Sequence, residues 1–137
     1  MGFNYVRQDF SKAADVPYVF SLKLPTGEDS GAKLHVIGEQ STVVKQYSKN
    51  LYQRFQQKQA IAKRKGKEPE DMSLDEAEQL SIEGAMVRLV GWEGVEGDDG
   101  KAVKFTKEAA EEFLKSVEWA RPQIMEQSAD VVNFRPK

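Results

Sequence analysis

The first regular pattern in the chain is an alternation of apolar and polar residues, which has the period of two expected of half-buried β-strands. The alternation is interrupted by a cluster of turn residues over 25–31 and resumes in AKLHVIG, with Leu34 and Val36 on the face opposite His35 and Ile37. The pattern predicts a β-hairpin over 16–37. The apolar positions of its first strand are Val16, Tyr18, Phe20, Leu22 and Leu24.

After Gly38 the spacing of apolar residues changes to three or four, which indicates amphipathic helices. No proline or glycine occurs over 41–65, so this segment is predicted to be one long helix. Gly66 and Pro69 end it, and a polar linker, 66–72, follows. The apolar stripe of the helix is formed by Val44, Tyr47, Leu51, Phe55 and Ala62.

A second helix is predicted to begin at a capping box, in which the Ser73 hydroxyl and the Glu76 carboxylate each accept a backbone amide proton. We expect this helix to run to about Val90 and to end at Gly91, since glycine adopts the positive φ of a C-terminal cap at little cost. The apolar face expected of it is broad, with Leu74, Ala77, Leu80, Ile82, Ala85, Met86, Leu89 and Val90.

Two shorter helices are predicted after a glycine-rich loop, 91–105. Thr106 is a suitable N-cap for the first, which buries Phe113, Leu114 and Val117. Pro122 is suited to the first position of the second, because proline has no amide proton to lose there. We expect Ile124, Ser128, Val131 and Val132 to share its buried face.

Taken together, these patterns predict a mainly α (α+β) fold, with an N-terminal β-hairpin followed by about four helices. We expect a flexible N-terminus over 1–15, a single domain over 16–134 and a frayed tail over 135–137. The expected parts of the domain are the hairpin 16–37, the long cationic helix 41–65 and a helical unit over 73–134.

Composition narrows the chemistry of which the chain is capable. Its 137 residues contain no cysteine and a single histidine, His35. These counts exclude disulfides, thiolate metal sites and multi-histidine metal centres. No secretory signal and no apolar run of the roughly 18–20 residues that a membrane span needs are found, so we expect a cytosolic protein without a membrane partner.

The net charge of −2 conceals a strong asymmetry along the chain. Residues 40–67 carry eight basic residues and no acidic one, whereas 68–137 carry eight basic and seventeen acidic residues. Such segregation favours contacts between regions of opposite charge, within one chain or between chains. We therefore take the cations of the long helix as candidate partner-binding or self-association residues: Lys45, Lys49, Arg54, Lys58, Lys63, Arg64 and Lys65.

Other sites receive little support from the residues. The glycines at 91, 94, 97 and 100 match neither a dinucleotide-binding motif nor a P-loop. Glu96, Asp98 and Asp99 do not fit the twelve-residue calcium-loop template. Neighbouring glutamates on an exposed helix do not supply the two separated carboxylates of a glycosidase. We expect no enzymatic activity, no metal and no cofactor.

The order of residues over 73–134 resembles the tail assembly chaperones of bacteriophages with long, non-contractile tails. The resemblance lies in a helix that leads into Gly91-Trp92 and in the ordered pairs that follow it. These are Gly94-Val95, Asp99-Gly100, Phe105-Thr106 (after Val103), Glu108-Ala109, Phe113-Leu114, Ala129-Asp130 (after Ile124) and Asn133-Phe134.

The resemblance implies a non-enzymatic protein of the cytoplasm of the infected host that is absent from the mature virion. Its partners would be the tape-measure protein, which it keeps soluble, and the major tail protein, which polymerises around the tape measure. A homo-oligomer fits the segregated charge. The alternative is a small nucleic-acid-binding module that uses the cationic helix 45–67, although the acidic remainder of the chain would repel phosphate.

Overall fold

A computed structural model of the chain describes residues 2–136. The fold is α+β, with an N-terminal hairpin and four helices of substantial length, as the sequence pattern predicts. In chain order, the elements of the described residues are α1 (Ser11–Ala14), β1 (Tyr18–Lys23), β2 (Asp29–Val36), α2 (Thr42–Arg64), α3 (Leu74–Arg88), β3 (Leu89–Glu93), α4 (Lys107–Ser116), α5 (Ala120–Ala129) and a 3-10 helix (Val131–Phe134).

The three strands form one antiparallel sheet in the order β1-β2-β3. Phe20 lies opposite Leu34 in the first pair, and Leu34 lies opposite Trp92 in the second. The free edge of β1 is covered in part by Gln123 of α5, whose side-chain amide both donates to the Lys23 carbonyl (2.8 Å) and accepts from the Lys23 amide (2.9 Å). This side chain therefore satisfies backbone groups that would otherwise be open to another strand.

Helices α3, α4 and α5 cover one face of the sheet, and the core lies between the two layers. The strands contribute the apolar side that their alternation predicts, and the opposite face carries polar residues such as Lys33 and Glu93. Leu34, Val36, Leu114 and Ile124 have no exposed surface. Burial of such side chains contributes about 1.5–3 kcal/mol each, so this layer supplies much of the stability of the fold.

The main departure from the sequence prediction is β3, which lies where α3 was expected to continue to Val90. The helix ends at Arg88, and Leu89 is already extended, with φ −84° and ψ 118°. Pairing with β2 satisfies the backbone of this segment in the sheet instead of in another helical turn. Gly91 is therefore not a helix cap, and the predicted helical unit 73–134 includes a strand of the sheet.

Smaller corrections concern the ends of elements. Leu74, predicted to be on the buried face of α3, is 90% exposed, since it lies in the first turn beside the linker. Pro122 is the third residue of α5, not the first. Val131 and Val132 are exposed, because the helix ends at Ala129 and Asp130 caps a 3-10 helix instead. That turn brings Phe134 into the core.

The hairpin also differs from the prediction at its ends. Val16 and Leu24 lie outside the strands and are exposed, whereas Ile37, predicted on the face of His35 opposite Leu34 and Val36, is buried. Within the predicted flexible segment 1–15, Ser11–Ala14 form a helical turn and Ala14 packs into the core. Met1 and Lys137, the outer ends of the predicted flexible segment and of the predicted frayed tail 135–137, lie outside the described residues.

Candidate protein-binding site

The N-terminal end of α2 is firmly attached to the rest of the protein. Ser41 is fully buried, and its hydroxyl accepts a hydrogen bond from the Val44 amide at 3.3 Å, as an N-cap does. The Thr42 amide and hydroxyl both donate to the Asp15 carboxylate, at 2.7 and 3.2 Å. Val44, one turn into the helix, is 1% exposed. These contacts fix the direction in which the helix leaves the core.

Along its length α2 becomes progressively exposed. Tyr47 and Leu51 are half-buried, and Phe55, the next residue of the predicted apolar stripe, is 40% exposed. Ile61 is 51% exposed near the C-terminal end. The long helix that the sequence predicts is confirmed, but only its first turns contribute to the core. The rest presents apolar side chains that the protein itself does not cover.

Two ion pairs tie α2 to α3. Arg54 Nη1 lies 3.0 Å from Glu83 Oε1, and Lys58 Nζ lies 3.5 Å from Glu76 Oε2. The more C-terminal residue of α2 pairs with the more N-terminal residue of α3, so the two helices are antiparallel and form a helical hairpin, closed by the segment that contains the linker 66–72. The predicted attraction between the basic and acidic segments is thus realised within the chain at these two positions.

A groove of about 230 Å³ lies between the two helices. Phe55 and Met72, which are 40% and 41% exposed, contribute apolar surface to it together with Leu80, which is half-buried. The two ion pairs and Gln79 supply its polar lining. The groove therefore offers an apolar floor between charged borders, which is the composition of a protein-binding surface.

The remaining candidate cations lie on the exposed surface of α2. Among the described residues no ion pair is formed by Lys45, Lys49, Lys63, Arg64 or Lys65. Lys45 and Lys63 are five helical turns apart, and Lys49 lies one turn from Lys45, so these three share one side of the helix. The structure therefore divides the seven candidates into two that pair with α3 and five that form no ion pair among the described residues.

The pKa values around the helical hairpin follow from the same contacts. Burial raises the pKa of Tyr47, and the nearby Glu83 carboxylate raises it further. The hydrogen bond and the charge of Glu83 raise the pKa of Arg54. Burial lowers the pKa of Arg88, against the attraction of Glu39. The contact with Glu83 therefore favours the charged form of Arg54.

The acidic loop that follows β3 is a tight turn held by its own backbone. The Val103 amide donates to the Val95 carbonyl at 2.8 Å, and the Gly97 amide donates to the Lys101 carbonyl at 2.9 Å. Asp99, one of three acids considered as metal ligands with Glu96 and Asp98, accepts from the Lys101 amide at 3.0 Å. Over residues 2–136 no group of three or more acidic or histidine side chains is placed to hold a metal ion.

His35, the one histidine, lies on the outer face of the sheet. Its Nε2 atom is 3.3 Å from Glu93 Oε2, and a Cβ atom added to Gly91 would lie 3.1 Å from its Nδ1 atom. The ring thus packs over the glycine of the neighbouring strand.

In the part of the chain that the structure describes, no helix has the length and apolarity needed to span a membrane.

The sequence identified the cations of this surface but not its apolar part. The periodicity of α2 places Phe55 on the core stripe, and Met72 lies in a segment whose composition predicts only a polar linker. Their exposure depends on how far α3 lies from α2, which no periodicity within either helix specifies.

Comparison with known proteins identifies the family of the chain. No curated protein and no solved structure shows a significant match. The model of one protein family, described as the YdaY prophage protein, matches residues 41–137, which extend from the N-cap of α2 to the end of the chain. The match covers the helical hairpin, β3 and the helices that form the core, and therefore more than half of the sequence. The chain belongs to the YdaY prophage protein family.

Proposed function

We propose that this prophage protein is a tail assembly chaperone that binds the tape-measure protein, keeps it soluble and promotes polymerisation of the tail tube around it. The observation that carries the proposal is the helical hairpin of α2 and α3, which projects an apolar groove and a cationic surface that the chain itself does not cover. Membership of a prophage family and the resemblance over 73–134 support it.

The physical requirement for such a chaperone is surface that matches a long amphipathic chain. A tape-measure protein is a very long, helical protein whose apolar stripes would aggregate before the tube encloses them. A helical groove with exposed Phe55 and Met72 can cover such a stripe, and the basic residues elsewhere along α2 favour partners that carry acid. No covalent chemistry is needed, which agrees with the non-enzymatic role that we propose.

Two further parts of the proposal follow from the same role. The chaperone would act in the cytoplasm of the infected host and be absent from the mature virion. It would also contact the major tail protein at the moment of polymerisation, and it would self-associate through its oppositely charged regions.

Co-expression tests the proposal. The tape-measure protein of the same prophage is expressed in bacteria with this chain and, separately, with an unrelated soluble protein of similar size and net charge. We expect soluble tape-measure protein only with this chain, and the two to elute together in size-exclusion chromatography. An equally insoluble tape-measure protein in both strains would refute the proposal.

A further inference from the structure

The outer edge of β1 carries backbone groups without a hydrogen-bond partner. The Leu24 amide donates across the hairpin turn at 2.7 Å, whereas the Lys23 amide and carbonyl bond the Gln123 side chain on the opposite side. Because backbone groups alternate in direction along a strand, those of Val19 and Ser21 also point away from β2. Among the described residues, no side chain and no neighbouring segment bonds these outward groups.

The open part of this edge is bounded at both ends. Pro17, ahead of the strand, has no amide proton, and Gln123 already occupies the backbone of Lys23. Between these limits Val19, which is 43% exposed, and the half-buried Ser21 leave donors and acceptors to water. Such a row is completed by another extended segment of about five residues, because a strand presents its own donors and acceptors at the same spacing.

The N-terminal arm, residues 2–6, is a segment of this kind and also lacks a partner. Its sequence, GFNYV, has no charge and no proline, and its aromatic and β-branched residues favour strands. Phe3 and Tyr5, at alternate positions, are 78% and 76% exposed. The Val6 amide donates to Asn4 Oδ1 at 3.2 Å, but no hydrogen bond joins the arm to a strand or helix among the described residues.

The arm leaves the fold close to the start of the open edge. An open cavity of about 760 Å³ is lined by Val6 of the arm and by Val16 and Pro17, which lie directly ahead of β1. Within one chain, the turn over 5–8 holds the aromatic rings of the arm in solvent and the edge is not paired. A second copy supplies the arm and the edge with what each lacks, and a reciprocal exchange about a two-fold axis closes the assembly at a dimer.

We propose that the N-terminal arm of one copy pairs with the open edge of β1 in a second copy, as a fourth, antiparallel strand of that sheet, and that the exchange is reciprocal. The register that places Tyr5 beside Val19 and Phe3 beside Ser21 covers the exposed valine with an aromatic ring, which is a favourable cross-strand pair. The contact consists of backbone hydrogen bonds and uncharged side chains. It therefore differs from the salt-sensitive association of charged regions and does not depend on the proposed chaperone function.

The test of the edge measures the mass of the full chain by light scattering over a dilution series, at about 0.1 and about 1 M salt. We expect a dimer at both, since screening acts on charged contacts only. Ser21→Pro removes an outward amide donor at an edge position, where proline is tolerated, and Ser21→Ala keeps it. The proline variant should weaken the dimer by about ten-fold or more, and the alanine variant by less than about two-fold. Unchanged circular dichroism confirms that both variants fold.

The test of the arm compares two double variants. Phe3→Ala with Tyr5→Ala removes the aromatic rings of the arm. The matched control, Tyr52→Ala with Ile61→Ala, removes two side chains of α2 that are 65% and 51% exposed and lie outside the α2–α3 groove. Only the arm variant should weaken the dimer by about ten-fold or more.

Mixing shows whether the exchange takes place between copies. The arm variant has an intact edge and Ser21→Pro has an intact arm, so the two should form a one-to-one heterodimer at a concentration where each alone is monomeric. A monomeric wild-type chain, a dimer that dissociates at about 1 M salt, equal effects within either pair of variants or a mixture that stays monomeric would each overturn the proposal. The solubility of the tape-measure protein is measured separately, so failure of either proposal leaves the other in place.

Discussion

Arg54 of α2 and Glu83 of α3 form an ion pair with a distance of 3.0 Å between Nη1 and Oε1. This contact joins the segment of the chain that carries eight basic residues and no acid to the segment that is strongly acidic. It also orients the part of the long helix that lies beyond the core. Part of the basic segment is thus paired with acidic residues of the same chain. The cations without an ion pair among the described residues lie along the exposed surface of α2 and at its C-terminal end.

Glu83→Gln should weaken the attachment of α2 without unfolding the protein. Because both side chains are partly solvated, the pair contributes about 0.2–1 kcal/mol at low salt, and less at about 1 M salt, where it is screened. Urea denaturation at both salt concentrations measures the change. Glu112→Gln, at an exposed position of α4 without an ion pair among the described residues, is the control. An equal loss at both salt concentrations would show that the contribution is not ionic.

Ser128→Ala should destabilise the fold by leaving a buried backbone carbonyl without a hydrogen-bond donor. The buried Ser128 hydroxyl donates to the Ile37 carbonyl at 2.7 Å and so joins α5 to the end of β2. Loss of the donor leaves a buried acceptor unsatisfied, which costs about 1–3 kcal/mol. Thermal and urea unfolding measure it, with Ser81→Ala on the exposed face of α3 as the control. If both variants are equally stable, the hydrogen bond does not hold these elements together.

Alanine substitutions at Gly94 and Gly100 distinguish the cost of backbone strain from the cost of a steric clash. Both have a positive φ, +74° and +76°, but a Cβ at Gly94 would lie 2.5 Å from the Gly31 carbonyl oxygen, whereas at Gly100 it would meet open space. Gly100→Ala should cost about 1–2 kcal/mol of unfolding free energy for the left-handed backbone alone. Gly94→Ala should cost about 1–3 kcal/mol more, because the chain at the end of β3 must move away from the Gly31 carbonyl of β2. Equal losses would contradict the close approach of the two strands.

Arg88 is a buried charge whose guanidinium can be replaced. Its Nη1 donates to the Gly84 carbonyl at 2.7 Å, its Nη2 lies 3.7 Å from Glu39, and its Nε has no partner among the described residues. Arg88→Met keeps most of the volume and removes the desolvation cost, so stability should stay within about 1 kcal/mol of wild type or rise. Arg88→Ala should lose about 2–4 kcal/mol by leaving a cavity. Equal losses in the two variants, measured by urea unfolding, would show that the charge itself is required.

The sequence predicts the hairpin and the helices because each has a period and an end that are local. Thr106 accepts from the Ala109 amide and Ser73 from the Glu76 amide, as their spacing predicts. Strand β3 could not be predicted in the same way. Leu89 and Val90 continue the apolar spacing of α3, and their extended conformation depends on pairing with β2, more than fifty residues earlier. Position 91 favours glycine because the His35 ring packs over it and leaves little room for a side chain, not because a helix ends there.

The candidate site was predictable only in its charge. The distribution of charge along the sequence identifies the seven candidate cations of the long helix. Which of them form ion pairs depends on the antiparallel arrangement of α2 and α3. Arg54 and Lys58, one turn apart, meet Glu83 and Glu76, two turns apart, only because the chain reverses direction between α2 and α3. The exposure of Phe55 likewise depends on the distance between two helices, and not on the pattern within one of them.

The most direct test of the account is the amount of soluble tape-measure protein recovered when it is co-expressed with the wild-type chain, Phe55→Ala or Tyr52→Ala. The account predicts a soluble complex with the wild type and with Tyr52→Ala, and a loss of about ten-fold or more with Phe55→Ala. An equally insoluble tape-measure protein in the presence and absence of the wild-type chain would contradict it.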